Sequence, residues 1–228
     1  MLRRVTMVIP AWNEAGSIGP LIAELHQQGV GEVIVADGGS TDGTQEVARV
    51  AGARVIDAGR GYGRACAAGA AAAKHDVIAF MDGDGADRPD QLPRLATPIL
   101  DGTADFTIAS RTRGEREPGS MAWHQVLAGA MAGRLMGVLY GVRYTDMCAY
   151  RIITRTALDR LGLTEMTYGW NIEMQMKAAR AKLRIAEIPM PYRCRVGGQS
   201  KVAGSMRGTL KAGSRIVTTF VRVAAAKS

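Results

Sequence analysis

The chain has 228 residues, 29 Lys and Arg against 21 Asp and Glu, and a net charge of +8. Hydrophobic residues at 47% and charged ones at 22% exclude a disordered or collagen-like chain, and the length fits one domain with a sizeable core. The cysteines Cys66, Cys148 and Cys194 lie far apart without a CxxC, which excludes a disulfide framework or a cysteine-built zinc site and fits a reducing cytoplasm.

Pro10, Asn13 and Glu14 interrupt the first apolar run too early for the h-region of a secretory signal. Residues 5–9 form a β-branched run closed by Pro10, after which Ile18, Leu21, Ile22 and Leu25 recur at helical spacing, with Ser17 as N-cap and Gly29 as stop. Residues 33–36 predict a second strand running into the turn-rich DGGSTDGT. A short helix over 44–51, a strand over 54–56 and an Ala-rich helix over 63–74 follow. Next come a strand over 77–81 ending at Asp82, a helix after Pro89 and a fifth strand over 106–109. The longest apolar stretch, 121–142, carries His124, Gln125, Arg134 and recurring Gly, which predicts an amphipathic or core helix rather than a membrane span.

Continuous apolar strands alternating with helices predict an α/β fold with a mostly parallel sheet covered on both faces. Ligands of such sheets bind beyond the carboxyl ends of the strands. That directs attention to residues 10–14, 37–43, 82–87 and 110–113, all four of them polar.

Familiar nucleotide motifs are missing. Gly59, Gly61 and Gly63 do not complete GxGxxG, and no GxxxxGK[ST], HExxH or GxSxG occurs. At the end of the fourth strand stands Asp82-Gly83-Asp84. Two carboxylates so spaced can share a divalent cation, or one can hold the metal and the other a sugar hydroxyl; Mg²⁺ or Mn²⁺ bridging carboxylates and a diphosphate is the usual arrangement for nucleotide substrates. The tripeptide alone also reads as a plain turn, and so do Asp37-Gly38-Gly39-Ser40 and Asp42-Gly43-Thr44, whose other reading is a loop holding base and ribose. Glu14 either complements a helix N-terminus or faces a ligand. Trp12 is a large aromatic in what should be a surface loop. His26, His75 and His124 show no ligand spacing, and Met166, Met174 and Met176 suit a core.

In order along the chain, VIPAWNE, VIVADGGSTDGT, RGYGRACAAG, FMDGDGADRP, ASRTRG, TDMCAYR, YGWNIEMQMKA and RVGGQSK resemble the inverting nucleotide-sugar glycosyltransferases of family 2, which have the GT-A fold. The closer likeness is to the dolichyl/polyprenyl-phosphate mannose synthase group and its bacterial relatives. The resemblance implies one GT-A domain over 1–228, with residues 1–113 holding the nucleotide sugar and 114–228 facing the acceptor.

It further implies that Pro10, Trp12 and Glu14 touch the nucleoside; the family more often has Tyr or Phe at the Trp12 position. Asp37 matches the first Asp of a DDGS motif whose second is Gly38 here, which leaves uracil and guanine both open. Asp82, Gly83 and Asp84 match the DxD motif, with Asp84 the favoured ligand of Mg²⁺ or Mn²⁺ and Asp82 beside it. Arg111 faces the donor, and Arg195 and Lys201 close over its diphosphate. Those two cations, with Gly197 and Gly198 between them, also suit an anion-clamping loop on chemical grounds.

The expected reaction moves a sugar with inversion from a UDP- or GDP-linked donor to an acceptor whose class includes lipid phosphates. An ionised phosphate needs no general base. A hydroxyl acceptor needs a carboxylate, for which Asp146 in TDMCAYR is the better candidate and Glu173 in WNIEMQ the other. Their structural alternatives are a turn or cap for Asp146 and an exposed helix position for Glu173.

Near the C-terminus Arg207, Lys211, Arg215 and Arg222 predict a basic stripe on a helix, beside an apolar one of Met206, Leu210, Val217 and Phe220. A basic amphipathic helix reads as a membrane-surface element, peripheral on the inner face of the plasma membrane, and the 123–140 region as a second one. Packing on the sheet or a homodimer interface is the other use of both. Nucleic-acid binding, which the charge alone would allow, is disfavoured by an aromatic content of 5%. A nucleotidyltransferase and a catalytically silent nucleotide-sugar-binding module are the rival readings.

Overall fold

The computed structural model describes residues 1–196 and 206–226. Lys201, Gly197 and Gly198 lie outside the described residues, as do the side chains of Met206, Arg207 and Lys211. The chain forms β1 (Val5–Ala11), α1 (Ala15–Gln27), β2 (Glu32–Asp37), α2 (Thr44–Val50), β3 (Arg54–Asp57), α3 (Tyr62–Ala72) and β4 (Val77–Phe80). After a 3₁₀ turn at Pro89–Gln91 come α4 (Leu92–Leu100), β5 (Phe106–Ser110), α5 (Trp123–Tyr140), β6 (Arg151–Thr154), α6 (Arg155–Leu161), α7 (Trp170–Arg180), β7 (Ile185–Pro189) and α8 (Met206–Ala225).

The strands make one sheet in the order β3-β2-β1-β4-β6-β5-β7. All neighbours run parallel except β6, which lies antiparallel between β4 and β5 with Phe80 opposite Arg151 and Ile108 opposite Arg151 on the other side. Central strands are buried throughout, as sheets covered on both faces require. α1, α2 and α4 pack as one group, and α3, α6 and α7 as another; α5 and α8 lie against α7.

Two local readings change. Pro10 does not close the first strand: it pairs with Ala36 inside β1, which runs on to Ala11 opposite Asp37. Ser17 does not cap α1, which begins at Ala15; its buried hydroxyl donates to the Gly83 carbonyl at 2.8 Å and ties the helix to the Asp82–Asp84 loop.

α5 is neither a core helix nor evenly amphipathic. It presses Gly129, Gly133 and Met136 inward, while Trp123, Leu127, Met131, Leu135 and Val138 face out. The close approach is made by Gly133, where an added Cβ would stand 1.8 Å from the Tyr144 carbonyl oxygen. Backbone cannot yield that distance cheaply, so Gly133→Ala should cost about 2 kcal/mol. Urea denaturation of the variant measures it, and an unchanged midpoint would show that α5 is not held by this contact.

Candidate functional site

Four loops meet at the carboxyl edge of the sheet. The first follows β1, where Asn13 adopts a positive φ of 55° and is laced to the loop after β2. Its N–H donates to Ser40 Oγ at 2.8 Å, and its side-chain oxygen accepts from the Thr41 N–H at 2.9 Å. The Glu14 N–H donates to Thr44 Oγ1, and the Ala15 N–H to Asp42 Oδ2.

Asp37 and Asp42 are spent on this scaffold. Asp37 accepts from the Gly39 and Ser40 amides, the Ser40 hydroxyl and Gln45. Burial raises its pKa, but the bonds from Ser40, Gln45 and Gly39 outweigh burial and hold the carboxyl below its ordinary value. Asp37 thus builds the turn whose backbone and Gly38 face the cleft. A Cβ at Gly38 would meet Ala11 O at 3.4 Å and Trp12 Cβ at 3.6 Å, ordinary contacts, so the glycine keeps the loop open without being sterically required. Trp12 is half-buried, and the Arg60 guanidinium lies 4.3 Å from its ring centroid.

The third loop carries the paired carboxylates. Tyr62 donates to Asp82 Oδ1 at 3.0 Å. Asp84 Oδ1 accepts from the Ala86 N–H, and its Oδ2 from Arg195 Nη2 at 2.8 Å. Burial, then the charge of Asp84, pushes Asp82 up to about 6. Asp87, which sequence reasoning did not single out, is 5% exposed, and burial, then the charge of Asp82, pushes its carboxyl up to about 8. Gly83 packs beneath the loop against Ile9, Glu14 and Ile18.

Arg111, after β5, is held by Asp146. Its main-chain N–H and Nε donate to Asp146 Oδ2 at 2.9 and 2.8 Å, and its Nη2 to Oδ1 at 2.7 Å. The Met147 N–H also donates to Oδ1. Tyr192 lies over the guanidinium at 5.0 Å, and Glu187 of β7 accepts from the Thr145 and Asp146 amides. Burial raises the Asp146 pKa, yet the hydrogen bonds and charge of Arg111 bring it below the ordinary carboxylate value. An acid so engaged anchors Arg111 and is a poor proton acceptor.

Glu173 is neither a base at the cleft nor an exposed helix residue. It is fully buried on α7, accepts from Thr164 and Glu165, and pairs with Lys177 at 3.1 Å and Arg222 at 3.5 Å. The structure therefore brings together Pro10, Trp12, Glu14, Asp37, Gly38, Asp82, Gly83, Asp84, Arg111, Asp146 and Arg195, and leaves Glu173 with the α7–α8 contact. Arg60, Tyr62, Asp87, Glu187 and Tyr192 were missed. Arg60 and Tyr62 stand in the RGYG segment and Asp87 in the loop of Asp82 and Asp84, so proximity to those motifs was the available signal.

The Arg111–Asp146 pair makes a stability prediction. Asp146→Asn leaves a largely buried guanidinium short of its counter-charge and should cost about 3 kcal/mol at pH 7. Because the folded pKa is depressed, this contribution is present above about pH 4, the unfolded value, and is lost as pH falls through the lower folded value. Denaturation curves for wild type and variant should therefore converge below about pH 4; a gap unchanged down to acid pH would contradict the pairing.

The family model described as glycosyl transferase family 2 matches residues 6–162. An uncharacterized glycosyltransferase of Mycobacterium tuberculosis is 34% identical over 210 residues, covering 90% of this chain and 93% of that one. The undecaprenyl-phosphate mannosyltransferase of Micrococcus luteus is 33% identical over 232 residues, covering 90% of each. The crystal structure of M. tuberculosis glucosyl-3-phosphoglycerate synthase with Mn²⁺, UDP-glucose and phosphoglyceric acid superimposes with a TM-score of 0.77 at 21% identity, over 98% of this chain and 80% of that one. At that identity the likeness concerns the fold, which is GT-A in both. With relatives matched almost end to end and a family model running from β1 through α6, the chain belongs to glycosyltransferase family 2 and is a glycosyltransferase.

Proposed function

We propose that this enzyme transfers a hexosyl group, with inversion and with Mg²⁺ or Mn²⁺ bound, from a UDP- or GDP-sugar to a polyprenyl phosphate at a membrane surface. One observation carries the acceptor class: every carboxylate offered as a general base is engaged elsewhere. Asp146 holds Arg111, and Glu173 lies in the α7–α8 contact. A phosphate acceptor arrives ionised and needs none of them. The undecaprenyl-phosphate specificity in the name of the M. luteus relative supports the same class.

Asp82 and Asp84 fit a divalent ion. Burial first, and then the charge of Asp84, disfavours ionised Asp82, a cost that a bound cation would relieve, and Arg195 pairs with Asp84. Among the described residues no group of three or more His, Cys, Asp or Glu makes a complete cage, so donor phosphate oxygens and water would fill the remaining ligand positions. When bound, the ion supplies Lewis-acid neutralisation of the departing diphosphate. Trp12, Arg60 and the Gly38–Ser40 turn hold the nucleoside in this reading. Arg195 and Arg111 place positive charge where negative charge develops, and Asp146 fixes the aim of Arg111. Residues 1–113, joined by Arg195 over the diphosphate, then serve the donor, and the rest of 114–228 faces the acceptor.

The membrane contact falls on α5 more than on the basic face of α8. Arg215 and Arg222 of α8 turn inward onto Glu165 and Glu173, at 3.4 to 3.5 Å. They fasten the helix to the protein, which leaves Leu210, Val217 and Val221 facing out. No described helix is long and apolar enough to cross a membrane. α5 instead exposes Trp123 (77%), Leu127, Met131 and Val138 (84%) in a segment, 121–145, that carries Arg134 and Arg143 and no acidic residue. That combination suits insertion at the headgroup boundary of anionic lipid.

Incubation with labelled UDP- and GDP-hexoses, Mn²⁺ and polyprenyl phosphate in vesicles should yield labelled lipid with one nucleotide. EDTA should abolish the product, and Asp84→Asn should lower the rate by about a thousandfold. Full turnover with metal chelated, or transfer confined to hydroxyl acceptors, would overturn the proposal. Leu127→Glu combined with Met131→Glu should cut co-sedimentation with anionic vesicles about tenfold, and unchanged sedimentation would remove α5 from the membrane contact.

A further inference from the structure

The segment after β7 lies along the loop of the paired carboxylates like an extra strand. Tyr192 bridges to Asp87, the Arg193 N–H donates to Ala86 O at 3.2 Å, and the Val196 N–H donates to Asp84 O at 3.0 Å. Arg193 reinforces this with its side chain, Nε to Gly85 O at 2.6 Å and Nη2 to both Glu24 oxygens at 3.0 Å. Gly85, at φ +74°, makes room: an added Cβ would stand 2.9 Å from Val196 Cγ2. The backbone position of residue 195 is thus fixed by contacts that do not involve its own side chain.

What that position delivers is a guanidinium on Asp84. Arg195 Nη2 lies 2.8 Å from Asp84 Oδ2, and its Nη1 is buried with no hydrogen-bond partner among the described residues. A divalent ion on Asp84 would put two like charges within a few ångströms of each other and must displace the guanidinium. A diphosphate offers Arg195 an alternative anionic partner, with room for both of its terminal nitrogens.

We propose that Arg195 is the resident counter-ion of Asp84, so that the divalent ion and the donor diphosphate enter the site cooperatively. The metal alone competes with Arg195, and the diphosphate draws Arg195 away. By linkage, metal and diphosphate raise each other's affinity by the same factor. The inference rests on Asp84 being a metal ligand, as proposed above, and adds how the affinities of metal and diphosphate are coupled.

Calorimetric and electron-spin-resonance titrations of Mn²⁺ into wild type, Arg195→Gln and Arg195→Lys, each alone and with saturating UDP or GDP, test it. Arg195→Gln should bind Mn²⁺ alone about tenfold more tightly than wild type, and the nucleotide's enhancement of Mn²⁺ affinity should shrink by a similar factor. Arg195→Lys, which keeps the charge, should stay near wild type. Equal or weaker Mn²⁺ affinity in Arg195→Gln without nucleotide would overturn the inference while leaving Asp84 as a metal ligand. Absence of Mn²⁺ binding in all three proteins, nucleotide included, would remove the metal reading and this inference with it.

Discussion

The chain builds β1, β2 and β3 to one side and then returns to lay β4 against the other edge of β1. That reversal is the constraint on which the rest depends. The loops leaving β1 and β4 are tied to each other, since the Ser17 hydroxyl of α1 donates to the Gly83 carbonyl and the 3₁₀ turn after β4 packs on α1. The loop of Trp12 and Glu14 thus lies beside that of Asp82 and Asp84 at the carboxyl edge, where open α/β sheets bind ligands. The antiparallel β6 then separates β4 from β5 and sets Arg111 one strand further along the same edge. In the proposed function, nucleoside, diphosphate and acceptor chemistry are thereby spaced along a line fixed by strand order.

Charge around this line is organised by exchange of partners. The cleft contains more carboxylate than it can leave bare, and each acid is met differently. Asp37 and Asp42 are answered by amides and hydroxyls, Asp146 by a guanidinium, and Asp84 by an arginine from a segment far along the chain. Arg151, at the start of β6, is the converse case: a fully buried cation whose terminal nitrogens donate to the carbonyls of Cys148 and Asn171, stitching β6 to the start of α7, while its Nε has no partner among the described residues.

The first half of the fold was legible because its strands are mostly apolar runs of four to seven residues between helices of clear period, and their ends fall on distinctive polar loops. β6 and β7 were not foreseen. RIIT and IAEIP are short, carry Arg151 and Glu187, and gain strand structure only by pairing with β4 and β5. Within the site the aspartates after strands were legible from residue type and place, but their division of labour was not. Whether a carboxylate holds a metal, a turn or an arginine depends on what the fold sets opposite it. Asp146 and Glu173 look alike in sequence and are committed to different partners by packing. The C-terminal helix misled for a related reason: its arginines mark a charged face, and the acids that turn it inward, Glu165 and Glu173, lie on other elements.

The glycine seam of α5 separates two jobs that most helices combine. An added Cβ at Gly133 would strike the Tyr144 carbonyl, and Cβ atoms at Gly129 and Gly137 would come within 4 Å of Asp146 and Arg143, so the helix sits close to the protein along this seam, with Met136 buried beside it. The outward residues from Trp123 to Val138 take little part in that attachment. They are consequently free to be exchanged, residue for residue, with little strain on the sheet or on Asp146 beneath it. If α5 makes the membrane contact proposed above, it acts as an interchangeable tread on a fixed wheel, whose outer residues can be retuned to a different bilayer without reworking the site behind it.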